Sequence, residues 1–253
     1  MIRELMGGIM LGLGYFTLLP VWVVGGIDLQ RPRVARAMVW SLPLTGVLLG
    51  LMVVGIALLM QKMGAYGNVL AAIMYPMLYG YVHTEAVMDV SDALHAAHGG
   101  KDPYAVIKDP AVGAMGALWG VGMLMTKIAL LAYLLQTPAG PLWILVPFAS
   151  RLGLTAVIAH MSFRSQLVTL LHQSVSKRAV MVATIAVTIL VGLKADWGMA
   201  GMIVLGIVVS FLTAWRLKRI LGFANGDVLG ATLEVTEIVL LSAMVFGGFD
   251  GIS

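Results

Sequence analysis

Apolar runs of about 18 or more residues recur along the whole 253-residue chain, separated by short polar stretches where lysine and arginine collect. A helix of that length crosses the hydrocarbon core of a bilayer. The pattern predicts helical spans at about 5–25, 39–61, 67–88, 111–135, 140–161, 178–193, 197–214 and 229–249. The dyad alternation of a transmembrane barrel is absent. The expected fold is all-α, a polytopic transmembrane helical bundle of about seven or eight spans. It forms a single integral-membrane domain over 1–253, with no soluble domain, linker or repeat.

Positive charge is shared unevenly between the two ends. The loops at 26–38, 89–110, 162–178 and 215–228 fall on one face and carry eleven Lys and Arg, against Arg3, Lys62 and Lys194 on the other. An excess of cations in short loops marks the cytoplasmic side. The chain is therefore expected in the cell (inner) membrane as a multi-pass protein, with both termini outside. Trp40, Trp143, Trp197 and Trp215 fall at the predicted membrane–water boundaries, where indole rings concentrate. Arg3 and the apolar run after it resemble a signal-peptide start, but no small-residue cleavage site follows. Segment 5–25 is read as retained, weakened by Pro20 and its glycines, and open to a re-entrant path.

Composition narrows the function classes. The chain is 60% hydrophobic and 11% charged, far from the usage of soluble proteins. Its net charge of +4 sits in loops between spans and does not argue for a nucleic-acid partner. The absence of cysteine removes disulfides, thiolate metal sites and cysteine nucleophiles together. Gly113, Gly116 and Gly120, like Gly198, Gly201 and Gly206, suit close helix packing in lipid.

Against this apolar background, residues 83–110 hold five of the twelve acidic residues and three of the five histidines. Span three is expected to continue as a helix past His83, which places Glu85, Asp89 and Asp92 within about 60° of one another on one face. Like charges so stacked repel, and a hard divalent cation relieves the repulsion. Mg²⁺ prefers carboxylate oxygens together with substrate phosphates, and a cysteine-free, carboxylate-rich set argues against zinc or copper. The metal expectation therefore falls on Glu85, Asp89 and Asp92. Asp109 precedes Pro110 in the manner of a helix N-cap. His95 and His98 precede a flexible Gly99-Gly100 turn, where they would orient phosphate or be solvated. A second acidic motif spans 225–237: Asp227 reads as a site residue or an N-cap, while Glu234 and Glu237 lie two to three turns into the membrane. Carboxylates there are costly without partners. Arg151 in span five is their natural partner, and Lys127 is expected to snorkel.

Three stretches carry a resemblance. His83-Thr84-Glu85-Ala86-Val87-Met88-Asp89-Val90-Ser91-Asp92-Ala93, then Lys108-Asp109-Pro110 with Gly113 and Gly116, then Gly226-Asp227 with Gly230, Ala231, Glu234 and Glu237, resemble the motifs of the cobalamin synthase (adenosylcobinamide-GDP ribazoletransferase) family. Phe16-Thr17-Leu18-Leu19-Pro20 and Leu42-Pro43-Leu44-Thr45-Gly46 match in the same order. Glu85 stands where the family has aspartate, Ala86 and Ala93 where it has glycine, and the early arginine is missing.

The resemblance implies an Mg²⁺-dependent phosphotransferase. Its substrates would be adenosylcobinamide-GDP and α-ribazole or its 5′-phosphate, with GMP released in assembling the lower loop of cobalamin. It implies catalytic roles for Glu85, Asp89, Asp92 and Asp109. Substrate binding falls to His83, His95, His98, Lys101, Lys108, Arg151, Asp227, Glu234 and Glu237, in a site facing the cytoplasm. The lipid bilayer is the implied surroundings, and a homo-oligomer is compatible with it. Two rivals are a CDP-alcohol phosphotransferase, whose glycine and arginine after Asp92 are missing, and an ion-coupled transporter, whose ionisable groups would sit nearer the midplane.

Overall fold

A computed structural model describes residues 2–21 and 27–247. Every regular element among them is helical: α1 (Ile2–Phe16), α2 (Pro32–Leu59), α3 (Ala65–Leu78), α4 (Val82–His98), α5 (Pro103–Val106), α6 (Ala114–Leu134), α7 (Leu145–His160), α8 (Gln166–Ser174), α9 (Lys177–Lys194), α10 (Trp197–Leu221) and α11 (Gly226–Phe246). Helices α2, α6, α10 and α11, and α7 with the 3₁₀ turn before it, are long and apolar enough to cross a membrane. The pair α8 and α9, bent by 73°, supplies a sixth candidate. The starts and stops follow local chemistry. Pro32 occupies the first turn of α2, Asp196 and Asn225 accept backbone N–H bonds at the starts of α10 and α11, and Gly222 ends α10 in the left-handed region.

Two expected spans take other forms. Span three is broken: Gly80 and Tyr81 both adopt positive φ, at 64° and 57°, separating α3 from α4. Tyr81 bears a side chain in a region that disfavours one, so the break is held by its surroundings. Its N–H donates to the Pro76 carbonyl at 3.0 Å. Segment one enters and returns at one end. Gly8 and Gly12 of α1 face Ala37 and Ser41 of α2, so these helices run parallel, and Gly7 already faces Ile27. Glu4 pairs with Arg31 at 3.3 Å and Arg33 at 3.5 Å. The rest of that segment, 22–26, lies outside the described residues. Arg3 thus belongs to the cation-rich end, leaving only Lys62 and Lys194 at the other. The N-terminal helix therefore starts at the end opposite to the one expected.

Chain directions bring the loops before α2, between α4 and α6, between α7 and α8, and between α10 and α11 to that cation-rich end. α7 is the central helix, buried nearly throughout and packed on α2, α10 and α11. Trp143, in the turn that opens this span, is fully buried, edge-on to Tyr75 at 4.8 Å.

Candidate functional site

α4 is the positioning element. Its Ala86 side packs against Gly230 of α11, so closely that a Cβ at Gly230 would lie 2.6 Å from the Ala86 methyl. Its Met88 side meets Gly120 of α6. The third side carries Glu85, Asp89 and Asp92, with Glu85 exposed and Asp89 half-buried. Asp227, in the first turn of α11, completes a group of four acids. Burial, then Asp227, Glu85 and Asp92, push the Asp89 carboxyl up to about 6. Asp227 is not the helix cap. Asn225 caps α11 by accepting from the Val228 N–H at 3.1 Å, and its amide donates to Asp227 at 2.6 Å.

Asp92 has a specific partner. Its two carboxylate oxygens accept the backbone N–H groups of Gly113 at 2.6 Å and Gly116 at 2.7 Å. An acid on α4 therefore closes the N-terminus of α6, where unpaired N–H groups and the helix dipole favour a negative charge. The approach needs glycine, because a Cβ at Gly113 would stand 2.6 Å from an Asp92 oxygen. Asp109 does not cap this helix. α6 begins at Ala114, and Asp109 instead closes a turn by accepting from the Ala111 N–H at 3.0 Å. Each Asp92 oxygen keeps a further lone pair.

Among the described residues, no group of three His, Asp or Glu side chains stands ready to hold a metal ion. The donor chemistry still fits Mg²⁺. Glu85, Asp89 and Asp227 offer oxygen only, the donor type that Mg²⁺ prefers. Mg²⁺ takes few protein ligands and completes its shell with water and phosphate.

Deeper in the bundle lies a buried ion network. Lys127 Nζ is 2.6 Å from Glu234 and 2.8 Å from Glu237, and Arg151 is 2.8 Å from Glu237. Tyr75 donates to Glu237 at 2.6 Å, Tyr79 to Glu234 at 2.8 Å and Ser150 to Glu237 at 3.1 Å. Two cations and two anions cancel, which makes the burial tolerable. Lys127 stands thirteen residues into α6, about 20 Å along its axis. It does not snorkel, and it holds Glu234, while Arg151 takes Glu237 alone. His83 is buried between the two layers, its ring 4.9 Å from that of Tyr79.

The remaining candidates lie at the loop end. His95 and His98 donate from Nδ1 to the carbonyls of Ser91 and Leu94, each at 2.8 Å. They border an apolar cavity of about 630 Å³ between α4, α6, α10 and α11, away from the acidic face. Lys101 and Asp109 are exposed. Lys108 Nζ is 5.8 Å from the Tyr104 ring, and Arg164 stacks on the same ring at 3.5 Å. Sequence reasoning missed Arg164, Tyr104, Tyr75 and Tyr79. The only hint for the last two was their position one turn apart before His83.

Residues 8–245 match the model of the cobalamin-5-phosphate synthase family. Curated relatives named adenosylcobinamide-GDP ribazoletransferase include one from Novosphingobium aromaticivorans, 30% identical with 96% of this chain and 98% of the relative aligned. Another, from Brevibacillus brevis, is 28% identical over 92% and 95%. A third, from Klebsiella pneumoniae, is 26% identical over 92% and 97%. No solved structure matches the chain.

Proposed function

The chain belongs to the cobalamin-5-phosphate synthase family, and from that membership we propose that it is an adenosylcobinamide-GDP ribazoletransferase. A ribose hydroxyl of α-ribazole, or of its 5′-phosphate, attacks the cobinamide-side phosphorus of adenosylcobinamide-GDP. A new P–O bond forms there, the bridging P–O bond of the diphosphate breaks, and GMP leaves. The observation that carries this reading is the convergence of Asp89, Asp92 and Asp227, from motifs more than a hundred residues apart, on one end of the bundle.

The residues divide the work. Glu85, Asp89 and Asp227 face the reacting diphosphate and would hold Mg²⁺ when it is bound. The ion supplies charge neutralisation on the phosphates. A carboxylate of this group not engaged by the cation takes the hydroxyl proton. Asp92 positions, tying α4 to the start of α6 so that the acidic face and the loop before α6 keep a fixed relation. Lys101 and Lys108, on that loop, are placed to neutralise phosphate oxygens. The buried Lys127, Arg151, Glu234 and Glu237 hold α6, α7 and α11 in register below the acids. The cation-rich end faces the cytoplasm of the inner membrane, where nucleotide substrates are found.

Purified protein supplied with adenosylcobinamide-GDP, α-ribazole and Mg²⁺ should release GMP. Chelator, Asp89→Asn or Asp227→Asn should stop the release while the protein remains folded and monodisperse. Full release in chelator would remove the metal from the mechanism. No release from folded wild-type protein would overturn the activity.

A further inference from the structure

A second cavity opens at the same end, at about 1030 Å³, the upper limit of the range usual for small-molecule sites. Its walls include Gln30 before α2, Tyr104 of α5, Arg164 between α7 and α8, and Gln166, Thr169 and Gln173 of α8. Its chemistry differs from that of the acidic face. Three carboxamides offer donor and acceptor together, and Leu167 and Leu170 offer flat apolar contact.

Arg164 is the best-held side chain of this group. Its guanidinium lies 3.5 Å from the centre of the Tyr104 ring, and that ring stands edge-on to Phe223 at 5.0 Å. Stacking presets a guanidinium while leaving its N–H edge free for an anion. Among the described residues no carboxylate pairs with it. The Arg164 backbone N–H donates to the Ala224 carbonyl at 2.7 Å, directly before the Asn225-Gly226-Asp227 turn. The cavity wall and the loop carrying Asp227 are thus joined by a hydrogen bond. The acidic face needs such a neighbour. Among the described residues no Lys or Arg forms an ion pair with Glu85, Asp89 or Asp227, so a diphosphate there draws its side-chain cations from the neighbouring loops.

We propose that this cavity is the subsite for the guanosine phosphate half of the donor, the half that leaves as GMP. Arg164 takes the departing phosphate, and the carboxamides of Gln30, Gln166 and Gln173 read the guanine edge. Guanine presents adjacent N–H donors and a carbonyl acceptor, a pattern that a carboxamide complements. The proposal rests on the transferase reading above, since it assumes a GDP-linked donor.

The test measures GMP binding to the full-length protein in nanodiscs by equilibrium dialysis, beside GMP release from adenosylcobinamide-GDP. GMP should bind more tightly than CMP. Arg164→Ala should weaken GMP binding by about tenfold, the loss expected of one charge-assisted hydrogen bond. Gln173→Leu, at an exposed position on α8 where folding is not at issue, should shrink the preference for GMP over CMP. GMP affinity unchanged in both variants, with wild-type transfer intact, would overturn the subsite and leave the activity standing. Binding that depends on Arg164 in a wild-type protein that releases no GMP would support the subsite and overturn the activity.

Discussion

Lys127→Met removes one of two cations from a buried network that holds two carboxylates. Lys127 Nζ lies 2.6 Å from Glu234 and 2.8 Å from Glu237. With charge centres about 4 Å apart and an effective permittivity of about 20, each attraction is about 4 kcal/mol. The wild-type protein sets these attractions against the desolvation of all the groups. The variant keeps the carboxylates buried and loses both attractions, for a net cost of about 3–5 kcal/mol. The structure also says which carboxylate suffers. Glu237 keeps Arg151 at 2.8 Å and the hydroxyls of Tyr75 and Ser150, whereas Glu234 keeps only the Tyr79 hydroxyl among the described side chains. Adding Glu234→Gln should therefore recover most of the loss. Adding Glu237→Gln should recover little, because it leaves Arg151 and Glu234 charged and separated. Reversible unfolding of the six proteins in detergent (wild type, three single variants and two double variants), read as two double-mutant cycles, measures this. Equal recovery by both second substitutions, or a loss under about 0.5 kcal/mol for Lys127→Met, would refute the pairing.

Three further outcomes follow from the acidic end. Gly116→Ala places a methyl against the Asp92 carboxylate and 2.6 Å from the Met88 carbonyl. It should cut GMP release by at least tenfold and lower stability by about 1–3 kcal/mol as the cap is lost; an alanine variant with wild-type activity would show that the Asp92 contact is dispensable. The Asp89 carboxyl is held at about 6, above its usual 3.8, so the folded state binds its proton more tightly than the unfolded chain does. Metal-free protein should lose stability as pH rises from about 4 to 6, Asp89→Asn should flatten that slope, and Mg²⁺ should oppose it; a slope of the opposite sign in chelator would contradict the cluster. Because the chain has no cysteine, single cysteines at Lys101 and Gly222 report topology without background, and both should be shielded from an impermeant reagent added outside intact cells.

Much of the architecture was legible because lipid leaves the chain few options: apolar run length alone places α6, α7 with the turn before it, α9 and α11 within a few residues, while the expected spans start about seven residues late in α2 and stop about seven residues early in α10, where polar and charged turns extend each helix. The miss at α3 and α4 has a local cause. Nothing in Leu78-Tyr79-Gly80-Tyr81 marks a tyrosine as left-handed, and the break appears only once the neighbouring elements hold it. Asp109-Pro110 carries a good cap signal, yet α6 starts at Ala114 because Asp92, distant in sequence, supplies the acceptor at that end. The three carboxylates of α4 were readable from helical spacing, and Asp227 from its motif. Lys127 was misread because a lone lysine near one end of an apolar run looks the same whether it reaches for water or for buried glutamates. Arg164 and Tyr104 could not be linked at all, since they meet only through the folding of two separate loops.

The direct test of the central claim follows the phosphorus. Adenosylcobinamide-GDP labelled at the cobinamide-side phosphate should pass its label entirely to the α-ribazole product, with unlabelled GMP released in equal amount and only when the acceptor is present. Label remaining with cobinamide phosphate while the guanylyl group appears on α-ribazole would contradict the account.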